Sequence, residues 1–346
     1  MTGIWTVIAA IAAFAIAALM GIWLVPFLKK LHFGQTILEE GPKWHKGKQG
    51  TPTMGGFMFI TGSVIATVVC VLLFHITGTQ TINEQNKVAP ETVLQSAKIY
   101  GGLFMALAFG AIGFIDDYIK VIKKRNLGLT AIQKLILQFI VAAAYLATIY
   151  FFGGNTSTYI PFVGMVDIGI MYYPIAAILI VGIVNAVNLT DGIDGLNGSV
   201  TFFASIFLIL IAGYTARMGL SIMSAALAGG CLGFLIWNFH PAKVFMGDTG
   251  SLYLGGYVCA LAFGLDMPIM LILIGLVYII EMFSVILQVT YFKLTHGKRL
   301  FKMSPIHHHF EMCGWSEVKI VVVFSVFTAI CGAAALLIIL TQNNVL

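Results

Sequence analysis

Charged side chains are scarce in this sequence of 346 residues, because only 10% are Asp, Glu, Lys or Arg while 59% are hydrophobic. Soluble domains carry about 25% charged residues, and a chain this poor in charge cannot cover a surface that faces water. The composition therefore excludes a soluble protein and predicts a membrane protein that crosses the bilayer several times. We expect no nucleic-acid partner.

Cysteine is also rare, and its spacing matches no metal site. The five cysteines are scattered, and four of them lie in apolar stretches, where a cysteine behaves as a small hydrophobic residue. We therefore expect them to be buried apolar residues and not disulfide partners. They are Cys70, Cys231, Cys259, Cys313 and Cys331.

Ten apolar stretches are long enough to be membrane-spanning helices, since a span needs about 20 mostly apolar residues. The first lacks a basic start, and its apolar run is too long for a cleaved signal peptide. The predicted fold is an all-α polytopic membrane protein, with residues 1–346 as one integral membrane domain. The spans cover approximately residues 3–28, 54–74, 96–115, 135–152, 173–187, 199–216, 220–238, 249–265, 268–291 and 320–341.

The connecting loops alternate sharply in basic charge. Sixteen of the 19 lysines and arginines fall in the loops on one side of the predicted spans. The positive-inside rule makes that side cytoplasmic. Ten spans then place both termini outside the cytoplasm.

Two adjacent carboxylates, Asp116 and Asp117, end the third predicted span in GFIDDYIK. Neighbouring negative charges repel each other, so a cation or a shared proton is expected nearby. The alternative is a solvated helix end, although negative charge at a helix C-terminus is unfavourable. We favour a functional role.

Polar residues recur every three positions in NAVNLTDGIDGLNGS, residues 185–199. On a helical turn Asn188, Asp191 and Asp194 would crowd one side. The interleaved glycines allow a backbone to approach a phosphate closely. The spacing is not that of an EF-hand loop. The alternative is a glycine-rich turn with capping aspartates.

Asp248, in FMGDTGSL, directly precedes the eighth predicted span. Taken alone it is best interpreted as a helix N-cap, a position that Asp favours. Together with the other acids of the same face it indicates a divalent metal site. Such oxygen ligands suit Mg²⁺, which takes one or two carboxylates and completes its shell with water and phosphate oxygens.

Basic and hydroxyl side chains precede the second and fourth predicted spans. Lys48 and Thr53 lie in KGKQGTPTMGG, residues 46–56, and Lys134 follows Thr130 in LGLTAIQK. Each lysine alone is adequately explained by the positive-inside rule. Beside hydroxyls and glycines they also suit phosphate contact.

Three consecutive histidines lie in SPIHHHFE, residues 304–311, within the last large loop of the basic side. The run is internal and too short for a purification tag. Histidines that share a metal on a helix are spaced i and i+4, so three in a row cannot easily converge on one ion. We interpret them as a loop that meets a phosphorylated or sugar ligand, with at least one histidine structural.

Together GFIDDY, NLTDGIDGL, FMGDTGSL and SPIHHHFE resemble the motifs of the polyprenyl-phosphate N-acetylhexosamine-1-phosphate transferases, and they occur in the same order. SPIHHHFE and KGKQGTPTMGG resemble the branch that uses a UDP-MurNAc-pentapeptide donor. The resemblance covers nearly the whole chain. It implies a ten-helix enzyme of the bacterial inner (plasma) membrane, with a cytoplasmic active site and a homodimeric assembly.

The implied reaction is a Mg²⁺-dependent step of peptidoglycan synthesis. Phospho-MurNAc-pentapeptide passes from UDP-MurNAc-pentapeptide to undecaprenyl phosphate within the lipid bilayer, giving lipid I and UMP. We expect direct attack by the lipid phosphate, and the alternative is a two-step route through an aspartyl-phosphate. Two further alternatives are a sister transferase that uses UDP-N-acetylglucosamine and a transporter.

The resemblance also suggests residue roles. We expect Asp248 to hold the metal and Asp116, with its neighbour Asp117, to deprotonate or orient the lipid phosphate. Glu281 lies deep in the ninth predicted span, where a charge is costly, and it is interpreted either as functional or as a hydrogen bond that fixes the helix. The expected phosphate ligands are Lys48, Thr53, Lys134 and His308, and the other expected substrate contacts are Asn188, Asp191, Asp194, Asn238, Gln288, His307 and His309.

Overall fold

The computed structural model describes residues 3–31, 48, 50–77, 90–122 and 128–342. Within these residues the chain forms twelve α-helices and one antiparallel hairpin, which confirms the all-α prediction. The hairpin pairs β1 (Ser157–Ile160) with β2 (Gly164–Asp167). The helices are α1 (Ile4–Lys30), α2 (Phe57–Thr77), α3 (Pro90–Ile122), α4 (Ala131–Phe151), α5 (Tyr172–Thr190), α6 (Leu196–Tyr214), α7 (Met218–Asn238), α8 (Gly247–Gly264), α9 (Leu271–Ile274), α10 (Leu276–Leu294), α11 (Ile306–Glu311) and α12 (Glu317–Thr341).

Nine helices in the described part of the chain are long and apolar enough to cross a membrane, so the chain is a polytopic membrane protein. The eighth predicted span, residues 249–265, forms α8, which is not among the nine. α8 has 18 residues, and all those from Thr249 to Gly264 are buried. A helix enclosed by other helices does not face lipid, so it tolerates the glycine, serine and threonine that lower its hydropathy.

Two predicted boundaries were wrong. α3 continues to Ile122, so Asp116 and Asp117 lie within the helix and not at its end. An i,i+4 ion pair between Asp116 and Lys120 supports this extra turn. The predicted span 268–291 is interrupted by a 3-10 turn that begins at Pro268 and by the short helix α9. The continuous helix of that region is α10.

Small residues allow α8 to pack closely in the centre of the bundle. A Cβ atom on Gly256 would lie 3.0 Å from the Cα of Ala106 in α3, and one on Gly255 would lie 2.7 Å from the Cα of Val184 in α5. Close backbone approach at small residues is the usual basis of helix association in membranes. Lipid is itself apolar, so the hydrophobic effect does not drive the helices together and close packing does. This packing fixes the first turn of α8 beside α3 and α5.

Polar contacts mark the end of the bundle at which α8 finishes. Lys98 Nζ lies 2.6 Å from Asp266 Oδ1, and Arg217 contacts the other oxygen of Asp266 at 3.5 Å. The backbone N–H of Tyr159 in β1 donates to Asp266 O at 2.9 Å. The Tyr159 hydroxyl also hydrogen bonds to the Gln342 side chain, so the end of α12 lies here, opposite the acidic motifs.

Candidate active site

Two helices bring together the three aspartates that we call the carboxylate cluster, Asp116, Asp117 and Asp248. α3 supplies the first two and the first turn of α8 supplies the third. One carboxylate oxygen from each lies within 4.8 Å of the others. Asp116 and Asp117 are buried, whereas the Asp248 side chain is 19% exposed and therefore reachable from outside the protein.

Two lysines bridge Asp116 and Asp248. Lys120 Nζ lies 2.6 Å from Asp116 Oδ2 and 3.0 Å from Asp248 Oδ2. Lys134, in the first turns of α4, lies 3.0 Å and 2.7 Å from the same two oxygens. The remaining Asp116 oxygen accepts the Leu129 N–H at 2.7 Å. Asp116 thus has one oxygen hydrogen bonded to the backbone and one paired with both ammonium groups.

Asp117 caps the N-terminus of α8 from outside that helix. Its Oδ2 accepts the N–H and the hydroxyl of Thr249, at 2.9 Å and 2.7 Å, and its Oδ1 accepts the Asp248 N–H at 3.2 Å. The N-cap position of α8 is Met246, whose side chain offers no oxygen. The interpretation of Asp248 as an N-cap is thus wrong, and its carboxylate is available to other partners.

Asn188 and Thr53 lie beside the carboxylate cluster. Asn188, near the end of α5, donates to Asp248 Oδ1 at 3.0 Å and to the Ser251 hydroxyl at 2.7 Å. A Cβ atom on Gly247 would lie 2.7 Å from Thr53 Oγ1, so Thr53 is at the start of α8. Residues 46, 47 and 49 of the motif around Thr53 lie outside the described residues.

Asp191 directly follows α5, is partly buried and lies near the carboxylate cluster. Burial raises the pKa of Asp191 well above its ordinary value, and the nearby carboxylates of Asp248, Asp117 and Asp194 raise the pKa further. A raised pKa of this origin reports a site that favours added positive charge.

A second group of charges, which we call the Lys48 cluster, contains Lys48, Asp194, His240 and Glu317. Lys48 Nζ lies 2.7 Å from Asp194 Oδ1 and 2.6 Å from Glu317 Oε2. The other Asp194 oxygen contacts His240 Nδ1 at 3.1 Å and accepts the Ala242 N–H at 2.9 Å. The cluster joins four segments that are distant in sequence.

Asn238 joins two backbone segments next to the Lys48 cluster. It is buried, its Oδ1 accepts the Gly195 N–H at 3.1 Å, and its Nδ2 donates to Val244 O at 2.9 Å. These bonds tie the loop after Asp194 to the segment before α8. The structure therefore gives Asn238 a supporting position, and its predicted substrate contact stays a prediction.

Glu281 forms a fully buried pair with His307. His307 Nδ1 lies 3.0 Å from Glu281 Oε2, and neither side chain is exposed. A Cβ atom on Gly192 would lie only 2.0 Å from His307 Nε2. The pair thus packs α11 against the loop that holds Asp191 and Asp194, in agreement with the alternative in which Glu281 makes a fixing hydrogen bond.

The remaining predicted residues hold the segment 300–311 in place. The Gln288 amide oxygen accepts the N–H groups of Leu300 and Phe301, at 3.0 Å and 2.8 Å. His308 Nδ1 lies 2.6 Å from Glu311 Oε2, and His309 Nδ1 accepts the Lys302 N–H at 3.1 Å. The three histidines therefore have three different partners and do not converge on one point.

The carboxylate cluster fits Mg²⁺ by the chemistry of its donors. Oxygen ligands are those Mg²⁺ prefers, and one or two carboxylates suffice when water and phosphate complete the shell. Both oxygens of Asp117 serve α8, and those of Asp116 contact Leu129 and the two lysines. Asp248 is the most exposed of the three and so the best placed to hold the ion.

Known proteins resemble this chain over almost its full length. A family model described as Glycosyl transferase family 4 matches residues 99–266. The phospho-N-acetylmuramoyl-pentapeptide-transferase of Caldicellulosiruptor bescii is 45% identical over 98% of this chain and 99% of its own length. Proteins of the same name from Clostridium perfringens and Bacillus subtilis are 47% and 46% identical, over 94% and 90% of both chains.

The chain belongs to the phospho-N-acetylmuramoyl-pentapeptide-transferase family. It is therefore an enzyme, which removes the transporter alternative. The match to the broader glycosyl transferase family spans the carboxylate cluster but ends before Glu281, His307 and Glu317.

Two charged members of this transferase site were missed from the sequence as site residues. Lys120 was counted only as loop charge, although its i,i+4 spacing from Asp116 on α3 was a usable signal. Glu317 carried no such signal, because its partners are distant in sequence.

Proposed function

We propose that the chain transfers phospho-MurNAc-pentapeptide from UDP-MurNAc-pentapeptide to undecaprenyl phosphate, producing lipid I and UMP. An oxygen of the lipid phosphate attacks the sugar-bearing phosphorus, the bond from that phosphorus to the UMP oxygen breaks, and UMP leaves. The carboxylate cluster bridged by Lys120 and Lys134 carries the proposal. Phosphoryl transfer relies mainly on positioning and charge neutralisation, which such a site supplies.

Mg²⁺ is the proposed cofactor, with Asp248 as its protein ligand. When bound it would offset negative charge on the donor phosphates. Asn188 donates to Asp248 Oδ1 and so orients the carboxylate. Lys120 and Lys134 are the proposed phosphate contacts next to it, with Thr53 close by. We propose that both lysines turn from the aspartates to phosphate oxygens when the donor binds, because the same ammonium groups recognise either anion.

Direct attack is the route we propose. A nucleophilic Asp116 would need an oxygen that the donor can reach, whereas its side chain is buried, with one oxygen bonded to the Leu129 N–H and the other paired with two lysines. The same contacts suit Asp116 to hold Lys120 and Lys134 and to orient the lipid phosphate. Asp117 supports the reaction indirectly, because it holds the first turn of α8, which carries Asp248.

We propose the bacterial inner membrane as the location, with the carboxylate cluster on the cytoplasmic face. The basic loops on the side of the cluster support this orientation. The start of α1 and the end of α12 would then lie outside the cytoplasm. The proposed homodimer rests on the resemblance alone.

The test is UMP release by the purified protein with undecaprenyl phosphate as acceptor. UDP-MurNAc-pentapeptide and UDP-N-acetylglucosamine are compared as donors, each with and without Mg²⁺. We expect Mg²⁺-dependent UMP from the pentapeptide donor only. UMP from the other donor alone would overturn the proposed substrate, and UMP from neither, in folded protein, would overturn the proposed reaction.

A further inference from the structure

We propose that Glu317 is a positioning residue that aims Lys48 at the donor. The inference rests on the proposed function and on the expectation from the sequence that Lys48 contacts a donor phosphate. Glu317 is the first residue of α12, and its side chain is only 8% exposed. Nothing in the sequence motifs assigns it a role.

Glu317 is not needed to start its own helix. Ser316 occupies the N-cap of α12, and its hydroxyl accepts the Lys319 N–H at 3.3 Å. The Glu317 carboxylate instead reaches two other segments, since Oε2 accepts from Lys48 Nζ at 2.6 Å and from the Asp194 N–H at 3.0 Å. One oxygen thus links Lys48 to the loop after α5.

Lys48 needs such support because its side chain has many rotatable bonds. Asp194 and Glu317 hold its ammonium group from two directions, at 2.7 Å and 2.6 Å. An ammonium group has three N–H donors. Among the described contacts two are engaged, so the fixed geometry presents the third for a phosphate oxygen.

The second carboxylate of the Lys48 cluster is itself fixed. Asp194 Oδ2 accepts the Ala242 N–H at 2.9 Å and contacts His240 Nδ1 at 3.1 Å, while His240 also lies 3.8 Å from Glu317 Oε1. Glu317 therefore completes a rigid frame around Lys48. Its removal should loosen the lysine more than it disturbs the frame.

The experiment measures kcat and KM for each substrate in Glu317→Ala and Glu317→Gln. Loss of a charge-assisted hydrogen bond should raise the donor KM of Glu317→Ala about tenfold, with kcat changed by less than about threefold. Glu317→Gln keeps an acceptor oxygen and should recover part of the loss. The KM for undecaprenyl phosphate should not change.

Ser316→Ala is the matched control, because it weakens the start of α12 without touching Lys48. It should leave the donor KM at the wild-type value. A rise equal to that of Glu317→Ala would assign the effect to the helix start and overturn the inference. Unchanged kinetics in Glu317→Ala would overturn it as well.

A double variant tests whether Glu317 acts through the lysine. In a Lys48→Met background, Glu317→Ala should raise the donor KM no further, because the lysine that it aims is gone. Additive effects would overturn the inference. If the wild-type protein releases no UMP, the proposed function fails. If the wild type is active and the variants match it, the inference alone fails.

Discussion

Replacing Asp117 by Asn should destabilise the protein by about 2–4 kcal/mol and lower UMP release. Asp117 accepts three hydrogen bonds from the first turn of α8. Asn keeps one acceptor oxygen, which we expect to face Thr249, where two of the three donors lie. Its NH₂ group then faces the Asp248 N–H, so two donors oppose each other.

The magnitude follows from these contacts. A buried donor left without its partner costs about 1–3 kcal/mol. Removing a negative charge from the N-terminus of a partly buried helix costs up to about 2 kcal/mol more. Activity should fall because the first turn of α8 carries Asp248, and a displaced carboxylate no longer meets the lysines and the metal correctly.

The first assay measures the free energy of unfolding in mixed micelles by titration with a denaturing detergent. The second assay measures UMP release. Thr249→Val is the matched control, because it removes the hydroxyl bond alone and should cost about 1 kcal/mol. If Asp117→Asn unfolds like the wild type while UMP release is lost, Asp117 acts on the reactants and the capping argument is refuted.

Three further predictions concern the neighbouring residues. Asp248→Asn should raise the Mg²⁺ concentration needed for half-maximal UMP release at least about tenfold, and an unchanged requirement would remove Asp248 as the ligand. Glu281→Ala should cost about 1–3 kcal/mol in unfolding titrations, because it leaves a buried ring nitrogen of His307 without its hydrogen-bond partner. A variant as stable as the wild type would contradict that pairing. Gly192→Ala should lose most UMP release, because its Cβ would lie 2.0 Å from His307 Nε2. Wild-type activity there would show that the histidine moves freely.

The sequence was sufficient to predict that the acidic motifs share one face. Membrane spans force successive loops to alternate between sides, so counting spans places Asp116, Asn188 and Asp248 together. The structure does bring these three side chains into one set of contacts. This inference needed no knowledge of how the helices pack.

The partners within the site depend on helix packing and were not predictable. Asp117 meets α8 across 131 residues of sequence, and Lys48 meets Glu317 across 269. Local patterns report only neighbours on the same helix, such as Asp116 and Lys120. For the same reason the bonds by which Asn238 joins two segments of the protein were not predicted.

The charges around the carboxylate cluster explain why this site should bind a cation with its substrate. Four carboxylates, those of the cluster and Asp191, act on one another here, and the two ammonium groups of Lys120 and Lys134 pair with Asp116 and Asp248 of the cluster. If all are ionised, the negative charges are in excess, and the raised pKa of Asp191 is the expected consequence. A divalent ion would remove that excess and lower the pKa of Asp191. A diphosphate donor arriving alone would increase the repulsion, whereas a donor carrying its Mg²⁺ brings the compensating charge, so donor affinity should itself depend on Mg²⁺.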